Sequence, residues 1–416
     1  MQQKIDGLLV PKLRFPEFWD AGEWEIKPLK SICSMQAGKF VSASNIFEKG
    51  KSGIYPCYGG NGLRGYTKTY THSGRYSLIG RQGALCGNVN LANGDFYATE
   101  HAVVVTPKED INVNWLFYKL DLLNLNKYAT GQAQPGLSVE VLEKVQCIVP
   151  TKESEQKKIA DCLTSIADRI TAETQKLNTL KAHKKGLMQQ LFPAEGETLP
   201  KLRFPEFQDS GEWEKFPLSK LLSSLDAGVS VVSGDRPAKN GEFGVLKTSA
   251  VTDGIFNSLE NKVVLDESEL QRLKEPVCKN TIIISRMNTP SLVGANAFIE
   301  ESLENIFLPD RLWAAKPKLG KSSIRFIAFV LSSDKGRAAL SELATGTSGS
   351  MKNITKTDVL ALEISVPSLP EQKKIVGCLI SIDEAIAAQS QAIELLKLHK
   401  KGLMQQLFPS VEEVNG

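Results

Sequence analysis

The chain has 416 residues, 42% of them apolar and 23% charged. That is too long for one ordinary core and predicts two or three water-soluble domains of roughly 100–200 residues each, not a disordered chain. Fifty Lys and Arg against 47 Asp and Glu leave +3, which excludes a histone-like basic protein but not local basic patches.

Taken in order, the opening MQQKIDGLLVPKLRF carries too short an apolar stretch for a signal peptide. PKLRFPEFWDAGEWE starts at Pro11 and returns as PKLRFPEFQDSGEWE at Pro200, an offset of 189 residues. Gly59–Gly65 is rich in Gly and Asn and predicts an exposed loop. Tyr76–Gly80 and Ala102–Thr106 are short β-branched runs between turn residues and predict strands, and Asn114–Leu123 predicts a helix. From Lys152 to Phe192, Ile159, Leu163, Ile166, Ile170, Leu177, Leu180, Leu187 and Leu191 keep a 3–4 spacing, interrupted by Glu173 and Lys184. Pro193 ends that helix, and Ala194–Leu199 reads as a linker.

The second copy predicts strands at Thr281–Ser285 and Asn296–Ile299, a helix at Ser323–Ser332 and a loop at Ala344–Ser350. Its long seam is Ile375, Leu379, Ile382, Ile386, Ile393, Leu396, Leu403 and Leu407, interrupted by Gln389 and Lys400. EQKKIADCLTSIADRI at Glu155 returns as EQKKIVGCLISIDEAI at Glu371, and HKKGLMQQLFP at His183 returns at His399, both at an offset of 216. The second copy therefore carries 27 more residues between its matching ends. Repeated frames around divergent middles predict two similar devices that recognise different things. Two seams of equal length and phase predict a mutual coiled coil; two separate amphipathic helices are the alternative.

A search for catalytic chemistry finds no constellation. There is no GxxxxGK[ST] loop, no GxGxxG after a strand, no GxSxG and no Asn-Pro-Pro-aromatic or Asp-Pro-Pro-Tyr motif. Pro309-Asp310 lacks the Glu-x-Lys of a nuclease, and the four histidines do not cluster. Seven scattered cysteines without a CxxC predict reduced thiols in a cytoplasm and no zinc site. No apolar run approaches the roughly 20 residues of a membrane span. What is left is recognition chemistry. Arg64, Lys68, Arg75, Arg81 and Gln82 lie among glycines and aromatics in the first half. Lys247, Arg286, Asn288, Lys352 and Asn353 lie near Thr, Ser and Gly loops in the second. Arg and Lys suit phosphates and guanine edges and Asn and Gln suit adenine; solvated loop charge is the competing reading.

With these segments in hand, the chain resembles the specificity subunit of type I restriction–modification systems over nearly its whole length. The resemblance rests on the two EQ-x-x-I helix openings at Glu155 and Glu371, and on GRQGALCGNVN with FYATEHAVVV in the first middle. In the second middle it rests on SRMNTPSLVG, LPDRLWAAKP and TGTSGSMKNI. It implies an α+β fold with two mixed α/β target-recognition domains, separated by two long helices in an antiparallel coiled coil with pseudo-two-fold repeat. The expected division is residues 1–150, a helix at 151–193, a linker at 194–199, a second domain at 200–366, a second helix at 367–409 and a tail at 410–416.

The resemblance also implies a cytoplasmic, non-catalytic reader of bipartite double-stranded DNA. Two modification subunits carrying S-adenosylmethionine would methylate adenine, and restriction subunits using ATP and Mg would cut; this chain itself would hold no cofactor. A stand-alone or architectural DNA binder and a scaffold without DNA binding are the competing readings. His183, Leu187, Met188, Leu191, His399, Leu403, Met404 and Leu407, on the repeated HKKGLMQQLFP, are the expected partner-docking residues, with closure of the coil against the domains as the alternative. Gly83 and Gly349 are expected to serve backbone turns.

A helix over Lys152–Phe192 is roughly 60 Å long at 1.5 Å per residue. Two readers on one face of a duplex should sit about 10 base pairs apart, centre to centre. Inserting four residues near Ala172 with the apolar seam kept in phase adds about 6 Å. The expected outcome is a gap between half-sites longer by one or two base pairs with both half-sites unchanged, read from the methylated motif. An unchanged gap in an active complex would mean that the helices do not set the spacing.

Overall fold

The computed structural model describes residues 9–50, 53–83, 85–131, 135–252, 254–318, 320, 322–346 and 351–409. The chain forms two compact units, Met1–Lys176 with Gln389–Gly416, and Leu177–Ala388. Both boundaries fall inside the long helices, Glu153–Leu191 and Leu369–Leu407. The helices expected at 151–193 and 367–409 are present, and each unit takes the opening half of one and the closing half of the other.

In the first unit a six-stranded sheet has the order Cys33–Ala37, Ala102–Pro107, His72–Gly80, Val89–Ala98, Tyr55–Gly59, Gly62–Thr67. The helix Val113–Leu122 packs beside it, its first N–H groups satisfied by the Asn112 side chain. Ile79, Val103, Val105, Trp115, Leu120, Ile159, Leu163, Leu407 and Phe408 share one core. The stretch Gly59–Gly65 is not an exposed loop: Tyr55–Gly59 and Gly62–Thr67 pair as a hairpin, and Gly59, Gly62 and Gly65 are buried. Close approach explains the glycines. A Cβ at Gly65 would meet the Phe47 carbonyl oxygen at 2.7 Å.

The second unit holds a four-stranded sheet in the order Leu222–Ala227, Leu312–Pro317, Thr281–Ser285, Asn296–Ile299. A three-stranded sheet of Asn261–Val264, Phe243–Leu246 and Ile306–Phe307 accompanies it, with helices Ile324–Ser332 and Asp334–Glu342. The strands and helices expected from β-branched runs and apolar spacing are all present, within a few residues at their ends. Most of the 27 extra residues fall between Gly228 and Ser285.

One polar network is built twice. In the first unit Arg14 donates two hydrogen bonds to the Glu155 carboxylate, from Nε at 2.7 Å and Nη2 at 2.8 Å, and Trp24 Nε1 donates a third at 3.2 Å. Gln156 accepts the Asn112 N–H at 2.9 Å and donates to the Asp110 carbonyl at 3.2 Å. In the second unit Arg203 and Trp213 hold Glu371 in the same way. Gln372 accepts the Ser323 N–H at 2.8 Å. Asn112 and Ser323 each cap a domain helix, so each glutamine works like the distal half of a capping box, supplied from another helix. Glu155, Gln156, Glu371 and Gln372 are each 1% exposed.

The closing half of each long helix docks by equivalent contacts. In the first unit Lys400 lies 5.0 Å over the Tyr118 ring, and Phe408 packs 6.1 Å from Trp115. In the second, Lys184 lies 5.4 Å over Phe329, and Phe192 packs 5.7 Å from Phe326. Within the first unit Gln389 Nε2 donates to Glu173 Oε2 at 2.7 Å, while Ile159 and Leu163 share their core with Met404 and Leu407. One helix thus rises as the other descends, and the pairing is antiparallel. Two of the interruptions in the apolar seams, Glu173 and Gln389, bind each other.

Two expected outcomes follow from burial. Glu155→Ala leaves Arg14 and the Trp24 indole without their acceptor, and breaking a buried pair in this way costs about 3–5 kcal/mol. Urea denaturation should show that loss, and a midpoint like the parent's would contradict the network's role. Lys119 is 3% exposed, with its ammonium 5.7 Å over the Phe408 ring. Burial lowers its pKa from 10.5 to about 8. Between those two values the unfolded chain binds more protons than the native one, so this group makes stability rise with pH across that window. Below it the native state carries the full cost of the buried charge. Lys119→Met should therefore stabilise the protein at pH 7, by up to about 3 kcal/mol, and lose that advantage as pH rises past the ordinary lysine value. Urea midpoints of parent and variant across pH 7–11 check the sign.

Candidate nucleic-acid interface

The strand His72–Gly80 ends where the chain must turn, and Arg81 is held at that turn by its backbone. Its N–H donates to the His101 carbonyl at 3.0 Å, and its own carbonyl accepts the Leu137 N–H at 2.9 Å. Gln82 is exposed and bridges to Gly136. Gly60 packs against the carbonyls of His101 and Gln82, where a Cβ would sit 3.2 and 3.4 Å from their oxygens. Arg64 and Thr99 both border Gly59. Asn88 donates to Asn61 Oδ1 at 3.2 Å, and Asn90 abuts Gly62. The fold thus gathers Arg64, Arg81 and Gln82 with Asn61, Asn88, Asn90 and His101.

Sequence reasoning missed the last four. Asn88 and Asn90 lie inside the quoted GRQGALCGNVN, but nothing in their spacing marks them as neighbours of Asn61 and His101. Lys68 and Arg75 are not part of this group. Lys68 lies 5.8 Å over the Phe47 ring. Arg75 precedes Arg81 by six residues along the strand His72–Gly80, roughly 20 Å.

The second unit repeats the turn. Arg286 follows the strand Thr281–Ser285, donates its N–H to the Arg311 carbonyl at 3.0 Å and accepts the Ile354 N–H at 2.9 Å. Its guanidinium lies 5.6 Å over the Trp313 ring. Met287–Asn288 pairs with Lys352–Asn353. Lys352 donates to the Gly346 carbonyl at 3.0 Å, and Asn353 Oδ1 is buried without a partner. Asn288 is 7% exposed and turned inward: its amide donates to Ser285 Oγ, and its oxygen accepts the Thr289 N–H. Lys247 pairs with Glu260 at 3.5 Å. It follows Phe243–Leu246, which runs parallel to Ile306–Phe307, so Lys247 leaves the sheet at the same end as the Pro309–Arg311 turn. Gly83 has a positive φ of 85° with open space beside it, whereas Gly349 lies outside the described residues.

The two arginines share one more property. The Nε of Arg81 and that of Arg286 are shut off from water and have no hydrogen-bond partner. A buried donor left unmade costs free energy, so the guanidinium at each turn is held ready and incompletely satisfied.

The expected docking residues divide. Leu191, Met404 and Leu407 are buried, and Leu187, Met188 and Leu403 pack against the same cores. Their apolar side chains pack within the units, as the alternative of closing the coil against the domains expects. His183 and His399 are exposed. Among the described residues no group of three or more His, Cys, Asp or Glu could hold a metal, and no helix is long and apolar enough to cross a membrane.

Comparison with known proteins places these features. A family model described as type I restriction modification DNA specificity domain matches twice, at residues 21–182 and 210–398. The specificity subunit of the Escherichia coli type I restriction enzyme EcoprrI is 53% identical over 137 residues, 33% of this chain and 34% of that one. A putative specificity subunit of Haemophilus influenzae is 30% identical over 154 residues, 35% of this chain and 39% of that one. The chain thus spans little more than a third of these relatives. The MjaVIII specificity subunit of Methanocaldococcus jannaschii is 26% identical over 305 residues, covering 71% of this chain and 69% of that one. Among solved structures, the type I restriction-modification S subunit from M. genitalium superimposes with a TM-score of 0.65 at 16% identity. That alignment covers 97% of this chain and 100% of the other, and shows a shared fold.

Proposed function

Because the chain belongs to the type I restriction modification DNA specificity domain family, we propose that it is the sequence-reading subunit of a type I restriction–modification complex. Each unit reads one half of a bipartite duplex target. The chain contributes placement and no bond-making chemistry: methyltransferase subunits that carry S-adenosylmethionine must flip an adenine out of the stack, and the reader determines which adenine they reach. Restriction subunits that use ATP and Mg complete the assembly in the cytoplasm.

The observation that carries this reading is the duplicated arginine turn. Arg81 and Arg286 occupy the same backbone frame in two units whose surroundings differ, and each has a buried Nε without a partner. Two identical cations in one frame suit what is common to every half-site, the phosphate backbone. Differing neighbours suit what is particular to each, the base edges.

The test is duplex binding by the full chain, assembled with its methyltransferase subunits, as a function of salt. Affinity should fall log-linearly with salt concentration as counterions are released. Arg81→Ala and Arg286→Ala should each weaken binding to all sequences alike and reduce that slope by about 1. Salt-independent binding, or no binding, would remove the reading.

A further inference from the structure

The two arginine turns can be compared position by position, because their hydrogen bonds set the register. Gly80 lies opposite Ala102, and Ser285 lies opposite Leu312. Arg81 corresponds to Arg286, Leu137 to Ile354, and the Thr130–Gly136 bridge to the Thr345–Asn353 bridge. In the same register Glu100 corresponds to Asp310, and His101 to Arg311. The frame is common: a held arginine, an acid on the facing turn, and a Thr-Gly pair with positive φ at Gly131 and Gly346. The residue whose carbonyl receives the arginine N–H is not common. It is histidine in one unit and arginine in the other.

Both side chains at that position are placed to meet a ligand. Arg311 is exposed. His101 is partly exposed, its Nε2 is 3.2 Å from Glu100 and its Nδ1 is buried without a partner. Beside it, Glu100 Oε2 and Arg81 Nε are also buried and unpartnered. Three buried polar atoms on these two facing turns thus lack a partner within the chain.

We infer that residues 101 and 311 are the specificity-determining positions of the two half-sites, with Arg311 reading a guanine edge. This rests on the reading of the units as DNA readers. The chemistry follows from geometry. The backbone of residues 101 and 311 is fixed by the arginine it holds, so the side chain leaves the frame at a constant place and angle. Arginine there offers two parallel donors that match guanine O6 and N7, an arrangement that discriminates that base from the other three. Histidine there is shorter, with Nε2 engaged by Glu100 and Nδ1 buried, so it offers no parallel pair of donors and recognises a different base or none.

The experiment selects bound duplexes from a randomised library with the full chain in complex with its methyltransferase subunits. Arg311→His should lose about ten- to a hundredfold discrimination at one guanine position of one half-site and leave the other half-site as it was. His101→Arg should change one position of the other half-site toward guanine, and His101→Gln should alter that same position. The untouched half-site is the internal control, since a misfolded chain would read neither. Unaltered motifs, or equal weakening for all sequences, with the parent still selecting its own bipartite target, overturn this inference alone. A parent complex that enriches no sequence overturns the DNA-reading function together with it.

Discussion

A carboxylate buried at the first turn of each long helix is the contact on which the rest is built. Glu155 and Glu371 each accept a bidentate arginine and an indole N–H from a segment far away in sequence. An ionised carboxylate is expensive to take out of water, and only several well-aligned donors offset that cost. The glutamine that follows cannot be exchanged freely either, because its amide reaches the capped end of a domain helix. Each Glu-Gln pair therefore ties three elements to one point: the entry segment, the domain helix and the long helix. The arginine, indole, glutamate and glutamine all come from the repeated frames, and the middles meet them chiefly through backbone groups at a helix start, so the side chains of the middles can change without disturbing the junction.

The middles do change. The first unit carries a six-stranded sheet, the second a four-stranded sheet with a three-stranded companion. The strands flanking the arginine turn nevertheless keep their register, and so does the close approach behind them. Gly38 and Gly228 sit where a Cβ would meet the carbonyl oxygens of Ala98 and Leu308 at 2.2 and 1.6 Å. Those glycines let one strand end lie against the turn that bears His101 or Arg311. Rigid backbone at the turn, with freedom in the side chains it carries, is the division that recognition of varied sequences requires.

The closing halves of the long helices complete the units. Phe192 and Phe408 insert against Phe326 and Trp115, and Lys184 and Lys400 cover the rings of Phe329 and Tyr118. The stems of these lysines lie on apolar surface while their charges face aromatic rings. The chain's last described helix is thereby part of the first unit's core, and the repeated HKKGLMQQLFP serves folding before it serves any partner.

The sequence by itself determined the repeat, the two long helices, the strands of β-branched residues and the absence of a recognisable catalytic motif. Those properties are periodic or local: a 3–4 apolar spacing and a duplicated segment are visible without contacts. The resemblance to the specificity subunits came from the same linear segments, and the family match agrees with it. Only the tertiary structure decided which halves of the helices belong to which unit, because seam residues look alike whether they face a partner helix or a domain core. It also turned Gly59–Gly65 into a hairpin whose Gly59, Gly62 and Gly65 are buried, since glycine marks close approach as readily as exposure. It turned Asn288 inward and separated Arg75 and Lys68 from Arg81. Above all it brought His101 and Arg311 to the arginine turns. They are distant in sequence from those arginines and differ from each other, so no motif could join them; a shared pattern of backbone hydrogen bonds does.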